Sequence, residues 1–304
     1  MQVSIIAFTL CFINYIKGIY DLNISFSKDL TMKELLFGSA GIPIATNPRE
    51  TLNGINTVKK LGLNAMELEF VQSVNISKEK APLVKEAAAK NDVVLTCHGQ
   101  YFINLNSLEE AKIIASRKRI LNNSRRAYES GAWSICFHMA FYLKQDPVKV
   151  YDKVKAELKL LSKQLQDEGN KIWLRAETTG KNTQFGNLKE TLRLSQEIDG
   201  VMPCIDFAHL HARDNGKWNT SEEFSSILTD VEKHLGKEGL ENMHIHIAGI
   251  EYSEKGERRH LELKKSDMNY KDLVKAWKDF KIKGVVVSES PNIEKDALLL
   301  KSLY

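Results

Sequence analysis

The sequence predicts an α/β protein, a (β/α)8 TIM barrel in a single domain, and three observations support that prediction. First, eight short apolar runs alternate with longer amphipathic stretches from Met32 to the end of the chain. Second, the runs are continuously apolar, as expected for parallel strands that are buried on both faces. Third, a chain of 304 residues without a low-complexity linker suits one large barrel. A doubly wound parallel sheet is the alternative.

The predicted strands and helices alternate along the chain. The strands are Leu35–Ala40, Ala65–Phe70, Val93–His98, Ser134–His138, Ile172–Glu177, Met202–Asp206, Met243–Ile247 and Val285–Glu289. The helices are Asn47–Leu61, Ser77–Ala89, Ser107–Ser130, Pro147–Glu168, Leu188–Ile198, Ser221–Leu235, Tyr270–Phe280 and Ile293–Leu303. Ser107 and Glu110 are predicted to form a capping box. The connections 178–188 and 248–269 are longer than a barrel requires, and long loops often carry function.

The composition describes an ordinary globular protein. Hydrophobic residues make up 43% of the chain and charged residues 27%, which is typical of such proteins. The formal net charge of +4 permits an anionic partner such as nucleic acid without requiring one. The four cysteines form no CxxC pair and no disulfide-like pattern, which predicts a reduced, cytoplasmic setting.

Residues 1–31 precede the regular pattern and are predicted to be an N-terminal extension outside the fold, with the barrel domain spanning 32–304. The stretch from Val3 to Ile16 is apolar, but no Lys or Arg precedes it and no small-residue cleavage site follows. It is also too short for a spanning helix. Neither a secretory signal nor a membrane association is expected.

Metal-ligating residue types stand at the predicted carboxyl ends of six strands. They are His98, His138, Glu177, Asp206, His246 and Glu289, with His209 shortly after the sixth strand. In a (β/α)8 barrel these strand ends converge on one face, where active sites lie. Imidazoles and carboxylates together suit a multinuclear zinc or manganese site, in which a carboxylate bridges two ions. A hydrogen-bonded polar group at the barrel rim is the alternative for any one residue, but a poor explanation for six together.

Seven segments between Lys33 and Tyr304 carry a resemblance to a known family. They are HGQYFINL (98–105), FH (137–138), AETTG (176–180), CIDFAH (204–209), IHIAG (245–249), RH (259–260) and SESPN (288–292). In their order, their placement at strand ends and their Asp-x-x-His spacing, these segments resemble the endonuclease IV family. That family comprises zinc-dependent apurinic/apyrimidinic endonucleases among the xylose-isomerase-like barrels.

The resemblance implies a cofactor of two or three zinc ions, with manganese as the alternative metal. The eight implied ligands divide over three sites: His98 and His138 with the bridging Glu177, then Glu177 with Asp206, His246 and Glu289, then His209 with His260.

The resemblance also implies an activity and a partner. A metal-activated hydroxide attacks the phosphodiester 5′ to an abasic site in double-stranded DNA, and Glu177 is both ligand and catalytic proton acceptor. The abasic nucleotide is flipped out of the stack to reach the metals. Tyr101 stands where the family places an aromatic residue that wedges into the DNA, and a rim tyrosine that packs on the barrel is the alternative. A monomer is expected.

One departure from the family pattern affects the third metal site. The family has an Asp two residues before the histidine that matches His260, and this chain has Arg258 there. A cation cannot ligate zinc, so the third ion loses a ligand unless Glu254 or Glu257 replaces it. Full occupancy of three sites and occupancy of two therefore both remain open.

A second departure affects the substrate. The loop 71–76 lacks the basic residue with which family members penetrate DNA, and Gln72 is the nearest polar substitute for a DNA contact. The alternative function is a sugar or sugar-phosphate isomerase or epimerase on the same barrel. Two histidines lie outside the family pattern: His211 is expected behind the ligands or facing solvent, and His244 as a hydrogen-bonded core residue.

Overall fold

In the computed structural model, which describes residues 32–304, eight parallel strands close into a barrel. They are β1 (Leu35–Ala40), β2 (Ala65–Glu69), β3 (Val94–His98), β4 (Ala132–Phe137), β5 (Trp173–Glu177), β6 (Val201–Asp206), β7 (Met243–Ile247) and β8 (Gly284–Ser288). Each strand pairs with its neighbours in the chain, and β8 pairs with β1 to close the ring. The predicted (β/α)8 barrel is confirmed, and the open doubly wound sheet is excluded because closure leaves no sheet edge.

The helices surround the barrel and alternate with its strands. They are α1 (Thr51–Lys60), α2 (Ala81–Asn91), α3 (Glu110–Glu129), α4 (Pro147–Asp167), α5 (Leu188–Glu197), α6 (Phe207–Arg213), α7 (Ser221–Glu241), α8 (Tyr270–Asp279) and α9 (Glu294–Leu303). All but α6 match predicted helices. The short α6 follows β6 directly because an Asp206 carboxylate oxygen accepts the backbone N–H of His209 at 2.7 Å and caps the helix.

The predicted capping box at Ser107 and Glu110 is wrong. The Ser107 hydroxyl oxygen accepts the backbone N–H of Glu109 at 3.1 Å and closes a turn, so that α3 begins only at Glu110. A reciprocal capping box occurs instead at α5, where the side chains of Asn187 and Glu190 each accept a backbone N–H of the other residue.

The apolar strand residues divide between two clusters because successive side chains point to opposite faces of a strand. The larger cluster, which includes Phe37, Leu95 and Val286, packs against the helices. The smaller cluster consists mainly of alternate strand residues that face the barrel interior, namely Leu36, Ala65, Trp133, Trp173, Met202, Val285 and Val287. The interior is therefore apolar towards the amino ends of the strands, which leaves the carboxyl ends for polar residues.

The two long connections carry small antiparallel sheets at the carboxyl-end face. After β5, Gln184–Phe185 pairs with Ala140–Phe141 from the loop that follows β4. After β7, Gly249–Ser253 and Gly256–Leu261 form a hairpin, here called the β7 hairpin. The predicted extension, residues 1–31, lies outside the described residues. Within 32–304 no helix is long and apolar enough to cross a membrane.

Candidate metal centre

Glu177 lies at the centre of a cluster of histidines at the carboxyl-end face. It is the last residue of β5 and its side chain is fully buried. His98 Nε2 lies 3.3 Å from Glu177 Oε2, and His138 Nε2 lies 3.3 Å from Oε1. His98 Nδ1 is 2.8 Å from the backbone oxygen of Gly99, so this nitrogen carries a proton and Nε2 is the nitrogen available to a metal, facing Glu177. His98 and His138 thus flank the two oxygens of Glu177, with His98 beside Cys136 in one donor group and His138 beside His209 in another.

A second group of donors adjoins the first through the same carboxylate. Ligand atoms of Glu177, Asp206, His246 and Glu289 all lie within 4.8 Å of one another. His246 Nδ1 is 3.4 Å from Glu177 Oε1 and 3.5 Å from Glu289 Oε1. One oxygen of Asp206 caps α6, whereas Oδ2 has no hydrogen-bond partner. Glu177 is therefore placed to bridge two adjacent positions.

A third group of donors surrounds His209, the first of the two histidines in α6. Its Nδ1 lies 2.9 Å from the backbone oxygen of Thr178, which assigns the proton to Nδ1 and leaves the Nε2 lone pair free. Asp206, His209 and His260 form a compact donor group. Glu257 joins them, with Oε2 3.6 Å from His209 Nε2 and Oε1 4.0 Å from His260 Nε2.

A β-bulge in the β7 hairpin explains how Glu257 reaches this position. Opposite residues pair as Glu251 with Arg259 and Tyr252 with Glu257, so Arg258 is the extra residue without a partner across the hairpin. A bulge reverses the alternation of faces. Glu257 and His260, three residues apart, consequently share the inner face, as residues two apart would in a regular strand.

Arg258 itself points away from the centre. Its side chain is 64% exposed and forms an ion pair with Glu251 at 3.0 Å. Of the two acids that the sequence offered as substitutes for the family's aspartate, Glu254 is exposed and Glu257 faces the histidines. The sequence alone left that choice open.

Glycine holds the tip of the hairpin against the loop that follows β5. The backbone N–H of Glu257 donates to the Gly180 oxygen at 2.9 Å. Gly256 has a φ of +89°, and a Cβ there would lie 2.3 Å from the same oxygen. Only glycine therefore permits this close approach, which places the Glu257 side chain beside His209.

Buried polar atoms without partners identify what the cluster accommodates. Seven such atoms converge here: both oxygens of Glu177, Asp206 Oδ2, Glu289 Oε2, His138 Nε2, His246 Nδ1 and His260 Nε2. A buried polar atom left without a partner costs about 1–3 kcal/mol. Divalent cations bound between these lone pairs would satisfy them, and imidazole with carboxylate is a donor set that suits zinc. The residues present fit two or three such ions.

The charges of the cluster also call for cations. Burial raises the pKa of Glu177, but His138 and His98 lower it by more, so that the pKa lies well below its usual range. Burial lowers the pKa of His98, yet Glu177 raises it to about 10. At Glu289, burial outweighs the opposing effect of His246, and Asp206 and Glu177 add to it, so that the pKa rises to about 8. The carboxylates therefore cannot all ionise at neutral pH unless positive charge is supplied.

The two predicted DNA contacts, Tyr101 and Gln72, lie on neighbouring loops at different positions relative to the metal centre. Tyr101 is 55% exposed at the mouth of the centre, with its ring 5.7 Å from that of His98. Phe102 beside it is 59% exposed and was not predicted. Gln72 is an exposed residue of the neighbouring loop, whose backbone oxygen accepts from the Gln100 side chain at 3.0 Å. The DNA contacts of Tyr101 and Gln72 remain predictions.

The two additional histidines lie in different places. His244 is fully buried inside the barrel, as predicted, with Nε2 3.1 Å from Glu67 Oε2. The side chain of His211 is also fully buried, and its Nδ1 lies 2.6 Å from the backbone oxygen of Lys217. Its Nε2 lies 3.2 Å from Asp267. The solvent-facing alternative for His211 is therefore wrong, because the β7 hairpin covers this side chain through Tyr252.

Sequence reasoning missed two carboxylates on β2. Glu67 is fully buried, and Glu69 is partly buried with an Oε1 atom that has no hydrogen-bond partner. In the barrel register Glu69 lies opposite His98. The available signal was their spacing of two, which puts both on one face of a strand that is otherwise apolar.

Comparisons with known proteins agree with this architecture. The family described as "Xylose isomerase-like TIM barrel" matches residues 55–303. An uncharacterized protein of Methanocaldococcus jannaschii, MJ0133, is 42% identical over 270 residues, which cover 89% of this chain and 97% of that protein.

Solved structures of two activity classes share the fold. Endonuclease IV from Thermus thermophilus superposes with a TM-score of 0.66 at 15% identity and covers 87% of this chain and 98% of its own. A D-tagatose 3-epimerase-like protein gives 0.64 at 16% identity, with 87% and 95% covered. The 3-keto-D-glucoside 4-epimerase of E. coli gives 0.61 at 16% identity, with 86% and 98% covered. At such identities the likeness concerns the fold, and the match over 55–303 decides the family: this chain belongs to the xylose isomerase-like TIM barrel family.

Proposed function

We propose that this protein is a zinc-dependent DNA repair phosphodiesterase that cleaves the strand 5′ to abasic sites. One observation carries the proposal: adjacent groups of donors, rich in histidine, share Glu177, Asp206 and His209. The solved endonuclease IV shares the fold. The proposal includes the eight ligands His98, His138, Glu177, Asp206, His209, His246, His260 and Glu289, to which the geometry adds Glu257.

Zinc in such a centre supplies Lewis acidity towards a phosphoryl oxygen and lowers the pKa of a bound water. The chain contributes the geometry. Glu177 spans two neighbouring positions from a fully buried site, and backbone oxygens hold His98 and His209 in the tautomers that face inward. Glu177 is also the catalytic residue of the proposal, because its carboxylate lies between the donor groups, where the reacting phosphate would bind.

The mouth of the centre offers aromatic surface for DNA. Tyr101 and Phe102 are adjacent in the chain and more than half exposed, and the ring of Tyr101 lies 5.7 Å from that of His98. Exposed aromatic side chains can fill the gap that a flipped nucleotide leaves in the base stack. These two residues support a substrate in which one nucleotide is extruded from the duplex.

A single incision assay tests the proposal. Zinc-loaded protein is incubated with a duplex that carries one tetrahydrofuran abasic analogue, beside the same duplex without the analogue. Cleavage 5′ to the analogue that leaves a 3′-hydroxyl is expected from the wild type and is lost in Glu177→Gln. Glu86→Gln, the same change on the exposed face of α2, retains cleavage. A folded, zinc-loaded wild type that leaves the duplex intact contradicts the proposal.

One observation favours sugar epimerisation as a second candidate. The unpartnered, buried oxygen of Glu69 near His98 would repel a phosphate but accept a sugar hydroxyl. An epimerase exchanges the hydrogen at the epimerised carbon. Incubation of the metal-loaded protein with ketohexoses in deuterium oxide is therefore the deciding comparison: deuterium incorporation without DNA incision would favour this candidate.

A further inference from the structure

Beneath the candidate metal centre, Glu67 faces two histidines of β7 across the barrel interior. Its Oε1 lies 3.0 Å from His246 Nε2, and its Oε2 lies 3.1 Å from His244 Nε2. The Thr96 hydroxyl donates to the same Oε2 at 2.8 Å. All four side chains are fully buried. Glu67 therefore lies behind His246, on the side away from the donors that surround Glu177.

The two nitrogens of His246 face opposite groups. Nδ1 lies 3.4 Å from Glu177 and 3.5 Å from Glu289, within the donor cluster. Nε2 lies beside the carboxylate oxygen of Glu67, where a lone pair would be repelled. Nδ1 also faces carboxylates, but an ion bound in the centre would lie between them and Nδ1, whereas Glu67 is outside the donor cluster. A neutral imidazole carries one proton, so in the metal-bound protein the proton belongs on Nε2 and the lone pair on Nδ1.

A chain of polar contacts holds Glu67 in place. His244 presents Nε2 to Glu67, and its Nδ1 lies 3.1 Å from the Ser134 hydroxyl. The proton of His244 therefore lies on Nε2, and the Ser134 hydroxyl donates to Nδ1. Glu67 Oε2 accordingly accepts from Thr96, from His244 and, at 3.8 Å, from the Cys136 thiol. The other oxygen, Oε1, has no hydrogen-bond partner and makes a 3.0 Å ion-pair contact with His246 Nε2.

We propose that Glu67 is a positioning residue of the metal centre, which fixes the ring and the tautomer of His246 so that Nδ1 is the metal ligand. This inference rests on the metal centre of the proposed function, though not on DNA as the substrate. Carboxylates behind metal-bound histidines typically contribute 10–100-fold to metal affinity. Glu67 is expected to do so for the ion between Glu177, Asp206 and Glu289.

The neighbouring thiols do not form a separate metal site in this arrangement. Donor atoms of Cys136, Cys204, His244 and His246 come within 4.8 Å of one another. However, both nitrogens of His244 already have oxygen partners, and Nε2 of His246 lies 3.0 Å from Glu67 Oε1 and 3.6 Å from Cys136 Sγ. The Glu67 carboxylate is therefore a nearer partner of both histidines than either thiol.

The first test compares Glu67→Gln with Thr96→Val. A glutamine has the same shape, but its single carbonyl oxygen cannot accept from both histidines, and its NH2 would face a donor. Competition with a chromophoric chelator is expected to show about 10–100-fold weaker zinc binding at one site. Thr96→Val keeps the carboxylate beside His246 and is expected to bind zinc within about threefold of wild type. Unchanged zinc affinity in a folded Glu67→Gln protein overturns the proposal.

The second test needs no variant at the glutamate. In the zinc-loaded wild type labelled with 15N-histidine, long-range 1H–15N spectra distinguish Nδ1-bound from Nε2-bound imidazoles. One Nδ1-bound ring is expected, assigned by its loss in His246→Ala, whereas His98 binds through Nε2. If His246 binds through Nε2, the positioning role falls even if the protein incises DNA. If His246 binds through Nδ1 but the protein does not incise DNA, the positioning role of Glu67 stands and the DNA proposal falls. A wild type that binds no zinc overturns both.

Discussion

At the scale of single residues, the neighbours Glu257 and Arg258 have different roles, one facing the metal centre and one facing solvent. Glu257 faces His209 and His260, whereas Arg258 pairs with Glu251 on the outer face. We predict three zinc ions per chain in the wild type and two in Glu257→Gln, because the third position loses the carboxylate that faces both His209 Nε2 and His260 Nε2. Elemental analysis of dialysed protein measures this. Arg258→Gln is the control and should retain three ions. Three ions in Glu257→Gln would remove this carboxylate from the ligand set, and an equal loss in both variants would indicate general damage to the hairpin.

A second residue-scale prediction concerns the proton on His98. Burial alone would lower the pKa of this imidazole, but Glu177 raises it to about 10, so the metal-free protein holds this proton at neutral pH. Zinc must displace it. We therefore expect proton release on zinc binding and an apparent affinity that rises with pH between about 7 and 10. Calorimetric titrations at pH 8 in buffers of different ionisation enthalpy count the protons, and binding heats that do not depend on the buffer would contradict the assignment.

At the scale of elements, the bulge of the β7 hairpin determines which side chain faces the third position. Deletion of Arg258 would remove the bulge and leave Glu257 two residues before His260, on the same face of a regular strand. Deletion of Glu257 would yield a hairpin of the same length, but with Arg258 on that face. We predict that the first deletion keeps the third zinc ion and that the second loses it.

These two deletions form a matched pair, because both shorten the hairpin by one residue. Zinc content and thermal unfolding measured on both proteins separate the register from general damage to the loop. Loss of the third ion from both deletion variants would indicate that the bulge itself is required, and not only the residue that it turns towards the third position. Retention by both would remove Glu257 from the ligand set.

At the scale of the whole molecule, the centre couples six strands of the barrel. Its ligands come from β3, β5, β6 and β7, from the residues that follow β4, β6 and β8, and from the β7 hairpin. When the concentration of free zinc is about 100 times the dissociation constant, binding stabilises the folded state by about 2.7 kcal/mol. For a large domain this corresponds to roughly 5–10 °C in Tm. We predict a fall of that size on chelation and recovery with zinc, measured by scanning calorimetry; an unchanged Tm would mean that the ligands bind no metal in the folded state.

Local periodicity was sufficient to predict most of the fold. The apolar runs around Leu95 and Val286 and the amphipathic stretch of α4 are patterns of neighbouring residues, and each of them recurs in the structure. The capping box at Ser107 failed because a serine can satisfy a turn as readily as a helix start. The short α6 was missed because seven residues carry too little periodicity to detect.

The candidate site was predictable where a strand end placed the residue. His98, Glu177 and Asp206 end their strands, so barrel geometry alone brings them together. Glu67 was missed because a buried glutamate within an apolar strand gives no sign of its partner.

By itself, the sequence determined the alternation of strands and helices and the set of histidines and carboxylates at one end of the barrel, because spacing along the chain specifies both. Only the tertiary structure decided which acid faces the third position, since that depends on a bulge in hairpin pairing. It alone also placed Glu67 behind His246. Glu67 and His244 are 177 residues apart in the chain and meet only across the interior of the closed barrel, which no local pattern encodes.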